Sequence, residues 1–336
     1  MKRSGVIGLI ISLMMSVFCG CADAGESASR DFYAMDTYMT VTANGANADK
    51  AVKAAEKEIK RLDATLNAED ENSEIYRLNK KGELRLSDDT AALVSNALKY
   101  SNLTDGAFNP AVHPLMKLWG FTTGKYRVPE SKEISSALKL VRTDKINLKE
   151  NTAEFEVEGL EIDLGGIAKG YASSKVVDIF KAHGVESGIV NLGGNVHTVG
   201  YKPDGSEWSV AVEDPNSEDS YLCLLKIHDK AVITSGGYER YFEKDGKTYH
   251  HILDPSTGYP VDNGLESVTV VSSDGTMADA LSTALFVMGK EKAVVFWRKG
   301  KAEFDFVLSS KGEQLVVSEG LRDKITSGYD IEFVSK

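Results

Sequence analysis

The chain has 336 residues, 42% of them hydrophobic and 26% charged, with 39 Lys and Arg against 50 Asp and Glu and a net charge of −11. That apolar share supports a sizeable core and excludes wholesale disorder, and the length fits one large unit or two close lobes. The acidic balance argues against a nucleic-acid binder, which normally shows a basic surface; an anionic ligand here needs a metal cation or a nest of backbone N–H groups.

Lys2 and Arg3 form a short positive region, and no charge follows from residue 4 to residue 22. The apolar part, centred on residues 6–11 and 13–18, is too short for a comfortable transmembrane span and fits a signal h-region. Phe18-Cys19-Gly20-Cys21 places a small residue directly before a cysteine. This resembles a bacterial lipoprotein processing site with Cys21 as the lipidated residue; an ordinary secretory signal or a short anchor is the other reading. Residues 22–29 are small and polar and suit a tether. The expected division is a signal peptide over 1–20, a tether over 21–31 and one folded domain over 32–336. Cleavage before Cys21 removes Lys2 and Arg3 and no acid, which carries the net charge from −11 to −13. Cys223, in an apolar run, then remains as the one unlipidated cysteine and fits a small buried side chain. Alone it makes neither a disulfide nor a cysteine metal site.

Residues 32–43 alternate and read as a strand, with a turn over 44–47. Residues 49–66 read as an amphipathic helix carrying Val52, Ala55, Ile59, Leu62 and Leu66 on one stripe. Residues 73–79 add a helical turn, and 88–104 form a second helix that Asp105-Gly106 through Pro110 breaks. A loop over 122–129 and a short helix over 131–141 follow, then short strands over 145–148, 152–157 and 161–164. Gly165-Gly166 opens a helix over 167–182, closed by Gly184. Strands are expected at 188–192, 208–212, 221–228 and 231–235, with a turn at 193–195. Residues 238–243 and 247–253 flank Lys244-Asp245-Gly246 as a hairpin. A strand at 265–272, helices at 276–288 and 291–299, and strands at 304–308 and 314–317 complete the chain. Strands clustered between helices predict an α+β fold with mixed and antiparallel sheets, rather than regular βαβ alternation.

Three segments carry chemistry. At Asp163-Leu164-Gly165-Gly166-Ile167-Ala168-Lys169 a strand runs into a helix through two glycines, which allow close approach of a ligand. The first helical N–H groups then suit an anion, with Lys169 in the first turn; the other reading is a junction that needs glycine only for packing. Asp279 and Thr283 are four apart and share a helix face with Ser282 nearby, an oxygen set suited to Mg²⁺, or else a cap and a hydroxyl bonded to its own chain. His250 and His251 point to opposite sides of a strand and cannot chelate one metal together. Either could act as a general base or as a satisfied structural histidine.

These segments stand in order with Ala34-Met35-Asp36-Thr37, Ser73-Glu74-Ile75-Tyr76-Arg77-Leu78-Asn79, Thr104-Asp105-Gly106-Ala107-Phe108-Asn109-Pro110, Leu118-Trp119-Gly120-Phe121, Ser235-Gly236-Gly237-Tyr238-Glu239-Arg240 and His251-Ile252-Leu253-Asp254-Pro255. Together they resemble the ApbE family of FAD:protein FMN transferases, from about Phe32 onward. The resemblance implies an extracytoplasmic, membrane-anchored, Mg²⁺-dependent enzyme. Such an enzyme splits FAD and attaches FMN to a threonine hydroxyl of a flavoprotein subunit of a membrane redox complex. It implies Asp279 and Thr283 as Mg²⁺ ligands, with Ser282 adjacent and a carbonyl from Gly166 or a neighbour such as Ala168. It implies His251 as the base for the acceptor threonine. Met35, Ala107, Phe108, Asn109, Asp163, Lys169 and the backbone of Leu253 are implied to line the FAD site. Two residues depart from the family pattern: Asp36 where glycine is common, and Asn67 where a tyrosine often covers the flavin. An asparagine there implies weaker FAD retention. The alternatives are a Mg²⁺-dependent FAD pyrophosphatase, with water as acceptor, and a non-catalytic FAD-binding lipoprotein.

Overall fold

The structure, a computed structural model, describes residues 26–217, 220–312 and 314–336. The expected signal peptide and Cys21 lie outside these residues. Nine strands form the main sheet: Ser27–Ala34, Thr37–Asn44, Ser187–Leu192, Asn195–Val199, Ala231–Gly236, Leu265–Ser272, Asp305–Ser310, Leu315–Ser318 and Ile331–Val334. They lie side by side in chain order, so the sheet is a long meander into which helices and smaller sheets are inserted. The last pair runs parallel, and its neighbours run antiparallel. The fold is α+β, as expected.

Helices Ala48–Leu66, Gly165–Ala182 and Gly275–Met288 pack against this sheet. The first buries the stripe Val52, Ala55, Ile59, Leu62 and Leu66 that its periodicity announced,. The Leu265–Ser272 strand is buried on both faces. Val268 and Val270 pack with Leu281, Leu285 and Phe286 of a helix on one side. Val271 packs on the other side with Leu225, Ile227 and Val210 of a small sheet. Cys223 is free and buried in that second layer, as its apolar run suggested.

Several elements differ from expectation. Residues 32–43 are the tip and return strand of a hairpin, in which Ala34 pairs with Thr37 across a two-residue turn. Met35 and Asp36 both adopt positive φ, 47° and 59°. A two-residue hairpin turn of this kind usually announces itself through Asn or Gly, which is why it was not visible in Met-Asp. The hairpin's first strand opens at Ser27, inside the segment expected to be tether. Residues 161–164 form no strand, and Leu164, just before the following helix, has φ −105° and ψ 8°. The Asn79 side chain takes the place of a partner, donating to the Ile162 carbonyl and accepting its N–H, both at 2.8 Å. Residue 195 starts a strand instead of ending a turn. The helix His113–Trp119, with Pro114 in its first turn, was not anticipated, nor were strands Glu83–Arg85, Ile325–Thr326 and Ile331–Val334.

The helices Gly165–Ala182 and Gly275–Met288 meet at Gly170 and Gly275. A Cβ on Gly170 would lie 2.2 Å from the Gly275 carbonyl oxygen and 2.6 Å from the Asp279 Cβ. Gly170→Ala is expected to cost about 1–3 kcal/mol of stability through overpacking and to push Asp279 aside. Urea unfolding measures this, and a midpoint equal to wild type contradicts it.

Candidate active site

One cavity of about 810 Å³ opens where the Met35–Asp36 turn, the end of the Ala48–Leu66 helix, the start of the Gly165–Ala182 helix and the 236–255 segment meet. Met35, Asn67, Ala107, Phe108, Asn109, Asp163, Gly166, Lys169, His251, Leu253, Asp279 and Thr283 all line it. Ser282 does not. It is fully buried, its hydroxyl donates to the Asp279 carbonyl at 2.8 Å and meets Ser235 Oγ at 2.8 Å. Three residues on from Asp279, it turns toward the sheet instead of the cavity.

The junction that opens the Gly165–Ala182 helix holds its own anion. Asp163 Oδ1 accepts the Gly165 N–H at 2.6 Å, so a carboxylate already satisfies the first N–H of the helix. Burial pushes the Asp163 carboxyl up, but His113, the Gly165 N–H and the charge of Arg240 outweigh it and hold the group below its ordinary value,. A Cβ on Gly166 would stand 3.3 Å from the Phe108 ring and 3.6 Å from Thr283 Oγ1. The bare glycine therefore keeps the junction open beside that hydroxyl.

Asp279 is buried. Its Oδ2 accepts the Gly170 N–H at 2.8 Å, and its Oδ1 accepts from Asn195 Nδ2 at 3.3 Å. Burial raises its pKa; the charge of Lys169 and the two hydrogen bonds oppose this without cancelling it. Thr283 Oγ1 lies 3.2 Å from Ser235 Oγ. Among the described residues no group of three or more His, Cys, Asp or Glu side chains gathers at a metal distance. A hard cation in this cavity would be met by the Asp279 carboxylate and the Thr283 hydroxyl. That donor set fits Mg²⁺, which keeps waters and takes substrate phosphate as further ligands, and a buried carboxylate held against its own ionisation is the group such a cation would stabilise.

The two histidines separate in role. His250 Nε2 meets the Val261 carbonyl at 2.9 Å and its ring abuts Phe286, which is a structural arrangement. His251 lies past the end of the Lys247–His250 strand, a boundary expected at residue 253. Its Nδ1 donates to the Arg240 carbonyl at 3.1 Å, which leaves Nε2 as an acceptor. Burial and the neighbouring Arg240 charge push its pKa down to about 3, so the ring is neutral at physiological pH.

Asn195 and Arg240, which support Asp279 and His251, were not on the expected site. Arg240 ends a motif already quoted from the sequence, so its signal was present; Asn195 was hidden in an apparent turn. Asn67 caps the C-terminus of its helix, and its Oδ1 accepts the Glu69 N–H at 2.9 Å. Its side-chain oxygen is thus spent inside its own turn.

The sequence profile of the ApbE family matches residues 35–308. The chain is 40% identical to an FAD:protein FMN transferase of Klebsiella pneumoniae, over 71% of this chain and 75% of that protein. It is 31% identical to one from Treponema pallidum, over 96% and 97%. The crystal structure of the ApbE protein from Thermotoga maritima superposes with a TM-score of 0.84 at 34% identity, covering 89% of this chain and 99% of that one. A match across most of the chain, in sequence and in fold, establishes that the chain belongs to the ApbE family.

Proposed function

We propose that this chain transfers FMN from FAD to a threonine hydroxyl of a target protein and releases AMP. One observation carries the reading. His251, fixed in one tautomer by the Arg240 carbonyl, shares a cavity with Asp279, Thr283 and the glycine junction. A neutral imidazole with a free Nε2 is a base at physiological pH. The acceptor hydroxyl loses its proton to Nε2 as its oxygen bonds to the FMN-side phosphorus of FAD. The bond from that phosphorus to the bridging oxygen breaks, and AMP leaves with the bridging oxygen and its electron pair. Lys169 offsets part of the negative charge beside Asp279. Asn195 and the Gly170 N–H keep the Asp279 carboxylate aimed. Asp279, Thr283 and the Gly166 carbonyl would hold Mg²⁺, which when bound neutralises pyrophosphate charge and eases departure of AMP.

Incubation with FAD, Mg²⁺ and a threonine-containing acceptor is expected to leave fluorescent flavin on the acceptor in a denaturing gel. A dark acceptor band with AMP and FMN appearing in solution would assign the site to hydrolysis with water as acceptor. No turnover at all would leave an FAD-binding protein. The pH dependence is a second check. A base with its pKa near 3 is deprotonated across the working range, so the transfer rate is expected to show no acid limb near pH 6.5, the ordinary histidine value. A limb there that disappears in a His251 variant would show that the ring keeps its ordinary histidine pKa while still acting as the base.

The proposal extends to location. Cys21 is taken as a lipidated residue that tethers the enzyme on the extracytoplasmic side of a bacterial membrane, where a membrane redox complex would present its flavoprotein subunit. The charge-free stretch from residue 4 to residue 22 and the Gly20-Cys21 pair support this,. Among the described residues no helix is long and apolar enough to cross a membrane. Cys21→Ala is expected to lose palmitate labelling and to move the protein out of the membrane fraction.

A further inference from the structure

His113 opens the helix His113–Trp119 and is only 3% exposed. It stands behind the cavity wall and is ringed by carboxylates. Its Nε2 lies 3.3 Å from Glu69 Oε1 and 3.7 Å from Glu161 Oε2, and its Nδ1 lies 3.5 Å from Asp163 Oδ2. Glu161 is already paired with Lys117, one turn further along the same helix, at 2.7 and 2.9 Å. Glu69 and Asp163 are therefore the partners left for the two ring nitrogens. These two residues belong to different walls of the cavity. Glu69 sits in the loop after Asn67, and Asp163 sits at the junction whose first helical N–H it accepts. The spacings exceed those of a tight hydrogen bond, and buried Nδ1 has no partner in bonding geometry. A buried, unpaired ring nitrogen is costly until a small movement brings its acceptor in. An apolar side chain would fill this space more cheaply, since packing alone asks for no donors.

We propose that His113 is a positioning residue that latches the loop over residues 67–69 to the Asp163 junction and so sets how firmly FAD is retained. This rests on the reading of the cavity as the FAD site. It also accounts for Asn67: with no aromatic side chain over the flavin, and with the Asn67 side-chain oxygen spent on the Glu69 N–H, the loop is held from behind by Glu69 and His113.

The test measures FAD affinity by flavin fluorescence without acceptor, transfer rate at saturating FAD, and amide hydrogen exchange over residues 67–72. H113A is expected to weaken FAD binding about tenfold through loss of the His113–Glu69 contact. Its transfer rate at saturating FAD is expected to stay within about twofold of wild type, as for loss of uniform binding, and the loop is expected to exchange faster. H113Q, whose amide reaches as Nε2 does, is expected to recover most of the affinity; E69Q added to H113A is expected to weaken binding no further. FAD affinity in H113A equal to wild type, or E69Q and H113A effects that simply add, overturns the latch. Wild-type protein that binds no FAD overturns the reading of the cavity instead, and exchange then decides: loop protection unchanged in H113A overturns the latch.

Discussion

Replacing His251 with alanine is expected to lower the rate of FMN transfer at saturating FAD by roughly 100- to 10,000-fold, the range for removing a positioned general base. FAD affinity should change little. The ring's Nδ1 is committed to the Arg240 carbonyl, so Nε2 is the nitrogen left for chemistry, and the acceptor proton is what it handles. Phe121 meets the imidazole edge-on with ring centroids 6.5 Å apart, and Arg240 Nη1 donates to the Phe121 carbonyl at 3.4 Å. The same loop thus braces both the ring and the backbone group that orients it. Because it is the Arg240 carbonyl that fixes the tautomer, Arg240→Ala should keep far more activity than His251→Ala. The Arg240 charge holds the His251 pKa down, so that variant should shift any acid limb upward. Initial rates of acceptor flavinylation over a range of pH check both. His251→Ala with near wild-type transfer would remove this residue from the chemistry.

Much of this architecture was legible because its signals are local. The stripe from Val52 to Leu66 follows helical period and is buried as that period requires,. The apolar run at Leu265–Ser272 is a strand covered on both faces. What stayed hidden depends on partners far along the chain. Asn79 stands in for a strand beside Ile162 across 83 residues, and no periodicity encodes one side chain doing the work of a neighbouring backbone. The Met35–Asp36 turn needs positive φ at two residues that seldom adopt it,, and alternation simply runs through it. The site divides the same way. Ordered motifs brought twelve expected residues to one cavity, while helical spacing grouped Ser282 with Asp279 and Thr283. Spacing gives proximity along the helix, but the i+3 position rotates Ser282 onto Ser235. Asn195 reaches Asp279 across 84 residues, and His113 gathers Glu69, Glu161 and Asp163 from two other segments. Supporting contacts of this kind are properties of the fold.

Asp279→Asn is expected to lower Mg²⁺-dependent transfer by roughly 100- to 1,000-fold, the loss of one preorganised electrostatic element, while leaving the metal-free protein as stable as wild type or more so. The two effects share a cause. Burial raises the Asp279 pKa above the ordinary aspartate value, and Lys169, the Gly170 N–H and Asn195 offset this only in part. A carboxyl whose folded pKa exceeds its unfolded one opposes folding once the pH is above the unfolded value. That opposition fades as the pH falls through the folded value. Asparagine removes the charge and keeps an oxygen for the Gly170 N–H; the amide of Asn195 has only to turn so that its oxygen accepts. A cation bound to the native carboxylate reverses the balance. At a Mg²⁺ concentration about 100 times the dissociation constant, wild type should gain about 2.7 kcal/mol, seen as a rise of several degrees in melting temperature. The asparagine variant should gain almost nothing. Thermal melts of both proteins with EDTA and with Mg²⁺, set beside their flavinylation rates, test the whole chain of reasoning. A wild-type melting temperature indifferent to Mg²⁺, together with full transfer in EDTA, would show that Asp279 serves the fold through Gly170 and Asn195 and leaves the charge of the pyrophosphate to other groups.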